Sequence, residues 1–320
     1  MSQHPKVTIG VPVYNGERFL ANALDAILQQ TFGDFEIVIS DNGSSDSTPQ
    51  ICRKYLAQDD RIRYVRHQRT VNPVGSFNRA FAEARGAYFT WTAVDDIRPP
   101  DAIAALVAAL ESTPGAVMAH GPVIADRVRE CAVERIDHAM DLSGRDAARR
   151  IRTYTRQMQY NAMLYGLYRR DALIQTIFRQ HPGHDYLMGL QMCLLGPIAY
   201  TSIPMLIYRH VWGETDNPMY RLQPVTARDL LLYRGVRRRK CWISLLLGTF
   251  FLLRMRHIGF SDRLRGAAVH LAGFATRFRS HLVAEIFFLT ASPAMWAFAP
   301  FAPASRRLKR ALVAHGLSVR

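Results

Sequence analysis

Through its first 120 residues the chain alternates short β-branched runs with segments of helical periodicity, and this alternation restricts the fold more than any other feature. KVTIGVPV (6–13), FEIVIS (35–40), RIRYVRH (61–67), AYFTWT (87–92) and AVMAH (116–120) are strand-like. Between them, 17–30 places Phe19, Ala23, Leu24, Ile27 and Leu28 at helical spacing, and 75–85 does the same with Phe77, Ala80, Phe81 and Ala84. Residues 46–57 read as a helix opened by Ser45-Asp46-Ser47-Thr48-Pro49, where N-cap candidates precede a first-turn proline. Residues 99–111 read as a helix after Pro99-Pro100, and 145–156 also looks helical. Strands alternating with helices predict an α/β fold: a mostly parallel central sheet with right-handed crossovers, flanked by helices.

In such sheets ligands bind beyond the carboxyl ends of the strands. Polar residues gather there: Tyr14-Asn15-Gly16-Glu17, Asp41 to Asp46, Asn72-Pro73-Val74-Gly75, and Asp95-Asp96. Asp95-Asp96 makes an anionic point at a strand end. Hard cations such as Mg²⁺ or Mn²⁺ take oxygen ligands and keep waters and substrate phosphates in their shell, so the pair suits a diphosphate ligand. A solvated surface pair or a helix cap is the plainer reading of the same residues. Asp41 stands where a base or ribose would lie, although DNGSSDS is equally an Asx turn. The chain lacks GxGxxG after the first strand and lacks GxxxxGK[ST], which argues against a dinucleotide Rossmann site and a P-loop.

Charge divides the chain. Residues 1–218 carry 23 Lys and Arg and 23 Asp and Glu, whereas 219–320 carry 18 against three, so the entire net charge of +15 lies in the last third. Length suggests about two domains, and the charge split predicts a balanced domain over 1–218 and a basic, apolar helical region over 219–320. There, Arg237 to Lys240 precede the apolar run CWISLLLGTFFLL, which ends near Arg254 and Arg256. A second run, LVAEIFFLTASPAMWAFAPFAP, holds Glu285 and three prolines and precedes Arg306, Arg307, Lys309 and Arg310. The first run, at 13 residues, is short of the ~20 needed to span a bilayer. An interfacial segment suits both runs, with apolar faces at the acyl boundary and Arg at anionic headgroups worth ~1 kcal/mol each. Buried helices with a solvated basic face, or a transmembrane hairpin, are the other readings. Nucleic acid is not an expected partner, because the region is too apolar for a phosphate-tracking face and no such motif is present.

Hydrophobic residues at 49% and charged residues at 21% exclude disorder and collagen-like repeats. Cys52, Cys131, Cys193 and Cys241 are single and widely spaced, which disfavours a disulfide scaffold, a zinc ribbon and a dithiol motif. With no secretory signal at the start, they fit a reducing cytosol.

Taken in order, the motifs resemble inverting family-2 glycosyltransferases of the GT-A fold. The stretch from Val7 to Thr48 resembles the family's opening. Asn72 to Ala80 resembles its N-x-x-G-x-x-x-N segment, and Tyr88 to Ile103 its DxD-containing segment. Asn161 to Leu173 and His184 to His210 are similar to the strands and acceptor-side helix that follow, so the resemblance covers about residues 6–212. It implies a nucleotide-diphospho-sugar donor, a divalent cation (Mn²⁺ or Mg²⁺) and single-displacement transfer of a hexosyl group with inversion. Pro12, Tyr14 and Glu17 would line the nucleotide pocket with Asn72, Gly75 and Asn78, Asp41 would bind the base, and Asp95 would contact ribose or diphosphate. Asp96 would hold the cation, with His210 as a further contact, and Asp185 would be the general base. Two departures stand out: Ala93 replaces the first acidic residue of a full DxDD pattern, and His184-Asp185 replaces the frequent acidic pair.

Many members build bacterial surface glycans (lipopolysaccharide, capsule or exopolysaccharide) on lipid-diphosphate carriers. Paired with the basic region, the resemblance implies a glycan or lipid-linked glycan acceptor and peripheral attachment of a cytoplasmic enzyme to the inner face of the plasma membrane through 219–320. The rival expectation is a nucleotide-sugar-binding protein without activity, opposed by the presence of both Asp96 and Asp185. A sugar-nucleotidyltransferase would carry a Gly-rich basic loop after the first strand, and YNGE is not one.

Overall fold

The computed structural model describes residues 4–127, 132–136, 139–158, 162–176, 184–209 and 240–277. The elements run β1 (Val7–Val13), α1 (Leu20–Leu28), β2 (Phe35–Asp41), α2 (Thr48–Leu56), β3 (Ile62–Arg66), α3 (Pro73–Ala82), β4 (Tyr88–Trp91), α4 (Ala102–Ser112) and β5 (Met118–His120). Then come β6 (Val123–Arg127), β7 (Ala132–Ile136), α5 (Ala147–Gln157), a 3₁₀ turn (Ala162–Tyr165), β8 (Leu167–Arg169), α6 (Arg170–Leu173), α7 (His184–Leu195), β9 (Ile198–Tyr200) and β10 (Leu206–Arg209). Two C-terminal helices follow, α8 (Lys240–Arg254) and α9 (Phe260–Arg277).

The expected α/β sheet is present, with seven strands in the order β3-β2-β1-β4-β8-β5-β9. β1 lies parallel to both β2 and β4, β2 to β3, and β5 to β9. β8 alone runs antiparallel, between β4 and β5. A second sheet, β10-β6-β7, stands beside it, and a bridge between Ile97 and Ile207 ties it to the turn after β4.

β1 is buried along its whole length, which is why it reads as a continuous apolar run. Its alternate residues Val7, Ile9, Val11 and Val13 pack under α1 and α4 with Leu24, Ile27, Ile103 and Leu106. The opposite face carries Gly10, where a Cβ would stand 2.7 Å from the Phe89 ring and 3.3 Å from the Ala80 Cβ, so glycine lets α3 and β4 approach β1. On that side Phe89 meets Phe81 at 5.0 Å and Trp91 at 4.8 Å, both edge-on, and Trp91 Nε1 donates to the Phe77 carbonyl. These contacts fix the end of β4, where the acidic pair begins.

The same cluster continues into α5, α7, α8 and α9. Tyr154 stacks on Tyr186 at 5.3 Å and donates to its carbonyl, and Phe251, Leu252, Ala267 and Phe274 of the C-terminal helices, with Met255 from the turn between them, complete the layer. Helices α8 and α9 therefore share a core with β4 and α7; the expected boundary near 218 lies outside the described residues. So do the second apolar run and the basic cluster at 306–310. No helix among the described residues is long and apolar enough to cross a membrane.

Cys52 and Cys193 are buried free thiols, and burial pushes each up to about 12. Labelling with a maleimide at pH 8, followed by peptide mapping, is expected to leave both unmodified in the native protein and to modify both in urea.

Candidate active site

The loops after β1, β2, β3 and β4 converge at the carboxyl edge of the parallel strands, and hydrogen bonds join the first two. Asn15, at φ 49°, accepts from the Ser45 N–H through Oδ1 (2.9 Å), while its own N–H donates to Ser44 Oγ. The left-handed conformation is one that Asn tolerates. The Gly16 N–H donates to Thr48 Oγ1 and the Glu17 N–H to Asp46 Oδ2, while Glu17 Oε2 accepts from the Ser47 N–H. Glu17 thus caps the start of α2. Pro12 is buried within β1, opposite Ser40, and Tyr14 is half-buried at the strand's end.

Asp41 has no exposed surface. Its Oδ1 accepts from the Ser44 N–H and its Oδ2 from the Tyr64 hydroxyl, both at 2.8 Å, with Arg66 Nε at 3.6 Å. The Asx turn of this segment is at Asp46, whose Oδ1 accepts from the Thr48 N–H, while Asp41 closes a turn three residues long. Each carboxylate oxygen still has a second lone pair, and the exposed Arg66 side chain, which also donates to the Ser44 carbonyl, lies over it. The adjacent Asn42, to which the sequence assigned no role, is buried and clamps the third loop: Nδ2 donates to the Val71 carbonyl and Oδ1 accepts from the Val71 N–H and from Arg79. Asn72 caps α3 through Oδ1 on the Gly75 N–H (2.8 Å), a Cβ at Gly75 would sit 2.9 Å from Val71 Cγ2, and Asn78 is exposed on the helix.

The acidic pair forms a sharply defined corner. Asp95 is half-buried and its carbonyl accepts from Arg209 Nε. Asp96 is 1% exposed; its Oδ1 accepts from the Arg209 N–H at 3.2 Å, and its Oδ2 has no hydrogen-bond partner among the described residues. Burial, and then the neighbouring Asp95 charge, hold its carboxyl well above the usual carboxylate range. A buried carboxylate oxygen without a donor is costly unless something cationic meets it, so Asp96 fits a divalent ion. No group of three or more His, Cys, Asp or Glu side chains that would hold a metal occurs among the described residues. Water and ligand oxygens would complete the shell of a Mg²⁺-like ion. His210 lies outside the described residues.

Behind this corner sits Arg98, buried and also without an assigned role in the sequence reading. It donates to Thr90 Oγ1, Thr92 Oγ1 and the carbonyls of Trp91, Tyr165 and Met205. Burial pulls its guanidinium down to about 10, opposed by the charge of Asp96. One side chain thus joins β4, the 3₁₀ turn and the approach to β10. Arg98→Met would leave these acceptors without a donor and is expected to lower unfolding free energy by about 3 kcal/mol in urea titration; an unchanged midpoint would show that the network adds nothing.

Asp185 lies half-buried in the first turn of α7, with Oδ1 accepting from the Tyr186 N–H at 3.0 Å. Helix α7 packs on the 3₁₀ turn whose Tyr165 carbonyl holds Arg98, so Asp96 and Asp185 are linked through one buried cation and one helix contact.

A family model, Glycosyl transferase family 2, matches residues 8–176, more than half of the chain. Among curated proteins, the chain is 32% identical over 91 residues to Glycosyltransferase GlyG of Streptococcus pneumoniae serotype 4, covering 28% of this chain and 30% of that protein. It is 36% identical over 93 residues to the GalNAc(5)-diNAcBac-PP-undecaprenol beta-1,3-glucosyltransferase of Campylobacter jejuni subsp. jejuni serotype O:2, covering 29% and 30%. The match therefore spans about a third of the length of these two relatives. Among solved structures, S. aureus TarS 1-349 in complex with UDP-GlcNAc is similar with a TM-score of 0.62 at 18% identity, covering 90% of this chain and 77% of that one. Mannosyltransferase PcManGT from Pyrobaculum calidifontis, in complex with GDP-Man and Mn²⁺, gives 0.52 at 17% identity, covering 99% and 82%. At these identities the likeness is one of fold.

Proposed function

The chain belongs to glycosyl transferase family 2 and has the GT-A fold, and on that premise we propose that it transfers a hexosyl group from a nucleotide-diphospho-sugar to an acceptor hydroxyl with inversion. The observation that carries this reading is the buried Asp96 carboxylate, one oxygen unpartnered among the described residues, at the carboxyl edge of the sheet.

In the proposed reaction, Tyr14, Asn15 and the α3 cap formed by Asn72 and Gly75 shape the nucleotide pocket, with Pro12, Glu17 and Asn78 around it. Asp41 accepts from the base once the Arg66 side chain gives way, and Asp95 accepts from ribose hydroxyls. Asp96 would hold Mn²⁺ or Mg²⁺, with His210 as a further contact; a bound cation would supply Lewis-acid stabilisation of the diphosphate leaving group. The Pyrobaculum neighbour is in complex with Mn²⁺ and GDP-Man, and the TarS neighbour with UDP-GlcNAc, which supports a donor site of this type. Asp185 takes the proton from the acceptor hydroxyl as its oxygen attacks the anomeric carbon opposite the leaving diphosphate. One displacement inverts that centre.

The Campylobacter relative is described as acting on an undecaprenol-diphosphate-linked glycan. We propose the same class of acceptor here, in bacterial surface polysaccharide synthesis, with the enzyme bound at the inner face of the plasma membrane through its basic region 219–320. The test is transfer of label from a panel of radiolabelled nucleotide-sugars into the organic-extractable fraction of bacterial membranes. Label in that fraction, lost with Asp185→Asn, is expected. Equal label with the variant would contradict the reading.

A further inference from the structure

Helices α8 and α9 are apolar on two opposite faces. The inner faces, with Leu245, Phe251 and Leu252 on α8 and Ala267 and Phe274 on α9, lie in the core against α5 and α7, and Met255, just after α8, joins them. The outer face of α8 carries Leu246 at 60% exposure, Phe250 at 46%, and Leu253 at the next helical step. Phe260 at 67%, Leu264 at 52%, Ala268, Leu271 and Ala275 make an exposed stripe along α9 at steps of three and four. A helix that is apolar on both sides needs a second cover, and contiguous exposed apolar surface of this kind marks an interaction site.

Cations run through the patch. Arg254 lies over the Phe250 ring at 5.2 Å and Arg263 over the Phe260 ring at 5.5 Å, while Arg263 Nη1 donates to the Leu253 carbonyl at 2.8 Å. Phe250, Leu253 and Phe260 thus form one patch at the hairpin's turn, with Arg254, Arg256 and His257 exposed beside it, whereas Arg265 turns to Asp146 at the start of α5. Asp262 is the sole acidic residue among 240–277. Exposed aromatic and Leu side chains rimmed by arginine match the boundary of an anionic bilayer, where apolar groups enter the acyl region and guanidinium groups meet phosphate. A protein partner or a second copy would need acidic residues to meet these cations, which this face does not itself supply.

We infer that the outer face of the α8–α9 hairpin is a docking surface for an anionic phospholipid bilayer, with Leu246, Phe250, Leu253, Phe260 and Leu264 as the inserting residues. This deepens the membrane attachment proposed above by naming its surface. Because the hairpin shares a core with α7, the bilayer-facing side is fixed relative to Asp185.

The test is flotation of the full chain with phosphatidylcholine vesicles, with and without phosphatidylglycerol. Binding is expected only to the anionic vesicles and to fall as salt rises. The triple change Phe250→Ser, Leu253→Ser and Phe260→Ser is expected to weaken it at least ~10-fold, and Arg254→Gln with Arg256→Gln roughly 10- to 30-fold. All five positions are solvent-facing, so circular dichroism and melting temperature are expected to stay as in the parent. Undiminished binding by the triple variant would overturn the inference, as would no binding by the parent. A parent dimer that the triple change dissociates would assign the face to a second copy. Donor binding measured without vesicles separates failure of this surface from failure of the enzymatic reading.

Discussion

Asp185→Asn is expected to lower turnover by about 10²- to 10⁴-fold, the usual contribution of a positioned general base. The carboxamide keeps the shape of the side chain and keeps an oxygen for the Tyr186 N–H, so the first turn of α7 survives. It cannot take a proton from the attacking hydroxyl. Donor binding, made in the proposed scheme at the β1, β2 and β4 loops, is expected to remain, so the loss falls on kcat rather than on donor affinity. Steady-state rates with the preferred donor, together with its dissociation constant, check both halves. A variant at full rate would remove Asp185 from the chemistry.

Asp96→Asn is expected to act in opposite directions on stability and on ligand binding. The Asp96 carboxyl titrates well above its unfolded value. The folded state therefore binds more protons than the unfolded one, and stability falls as pH rises from about 3.9 through the raised value. Above the unfolded value, burying this ionisable side chain opposes folding. Its removal is expected to raise the melting temperature of the metal-free protein, while the Asn oxygen still accepts from the Arg209 N–H. The stabilisation that cation and donor add together, about 2.7 kcal/mol at a hundredfold excess over the dissociation constant, is expected to disappear. Gain of stability with loss of ligand response is the signature of a residue kept for function. Calorimetric melts with and without Mn²⁺ and donor read both effects, and a variant that still responds to them would take the cation away from Asp96.

Much of the first half of the fold was legible because β1, β2 and β4 are buried along their whole length and read as short apolar runs, and because the proline after Ser47-Thr48 marks the start of α2 at Thr48. A strand followed by a helix within Asn161–Leu173 was implied by the resemblance, but the antiparallel direction of β8 was not legible, because a three-residue strand carries no signal of its neighbours β4 and β5. At the candidate site, the acidic pair was visible as sequence, but its burial was not: Arg209, over 100 positions away, closes one side of Asp96. The role of Arg98 is hidden for the same reason. An arginine between an acidic pair and two prolines looks solvated, and its acceptors include Tyr165 and Met205. Composition showed 219–320 as basic and apolar, but could not show that α8 and α9 complete the core around α7, since a helix with two apolar faces has the same composition whichever face is buried.

Joint binding of a nucleotide-diphospho-sugar and a divalent cation at this edge of the sheet is what the proposed transfer requires. It is tested most directly by the thermal shift of the intact protein with a panel of UDP-, GDP-, ADP- and dTDP-sugars in Mn²⁺ or Mg²⁺, each repeated in EDTA. A rise in melting temperature with one nucleotide family, abolished by EDTA and absent from Asp96→Asn, is expected. A rise that persists in EDTA, or none with any donor, would contradict it.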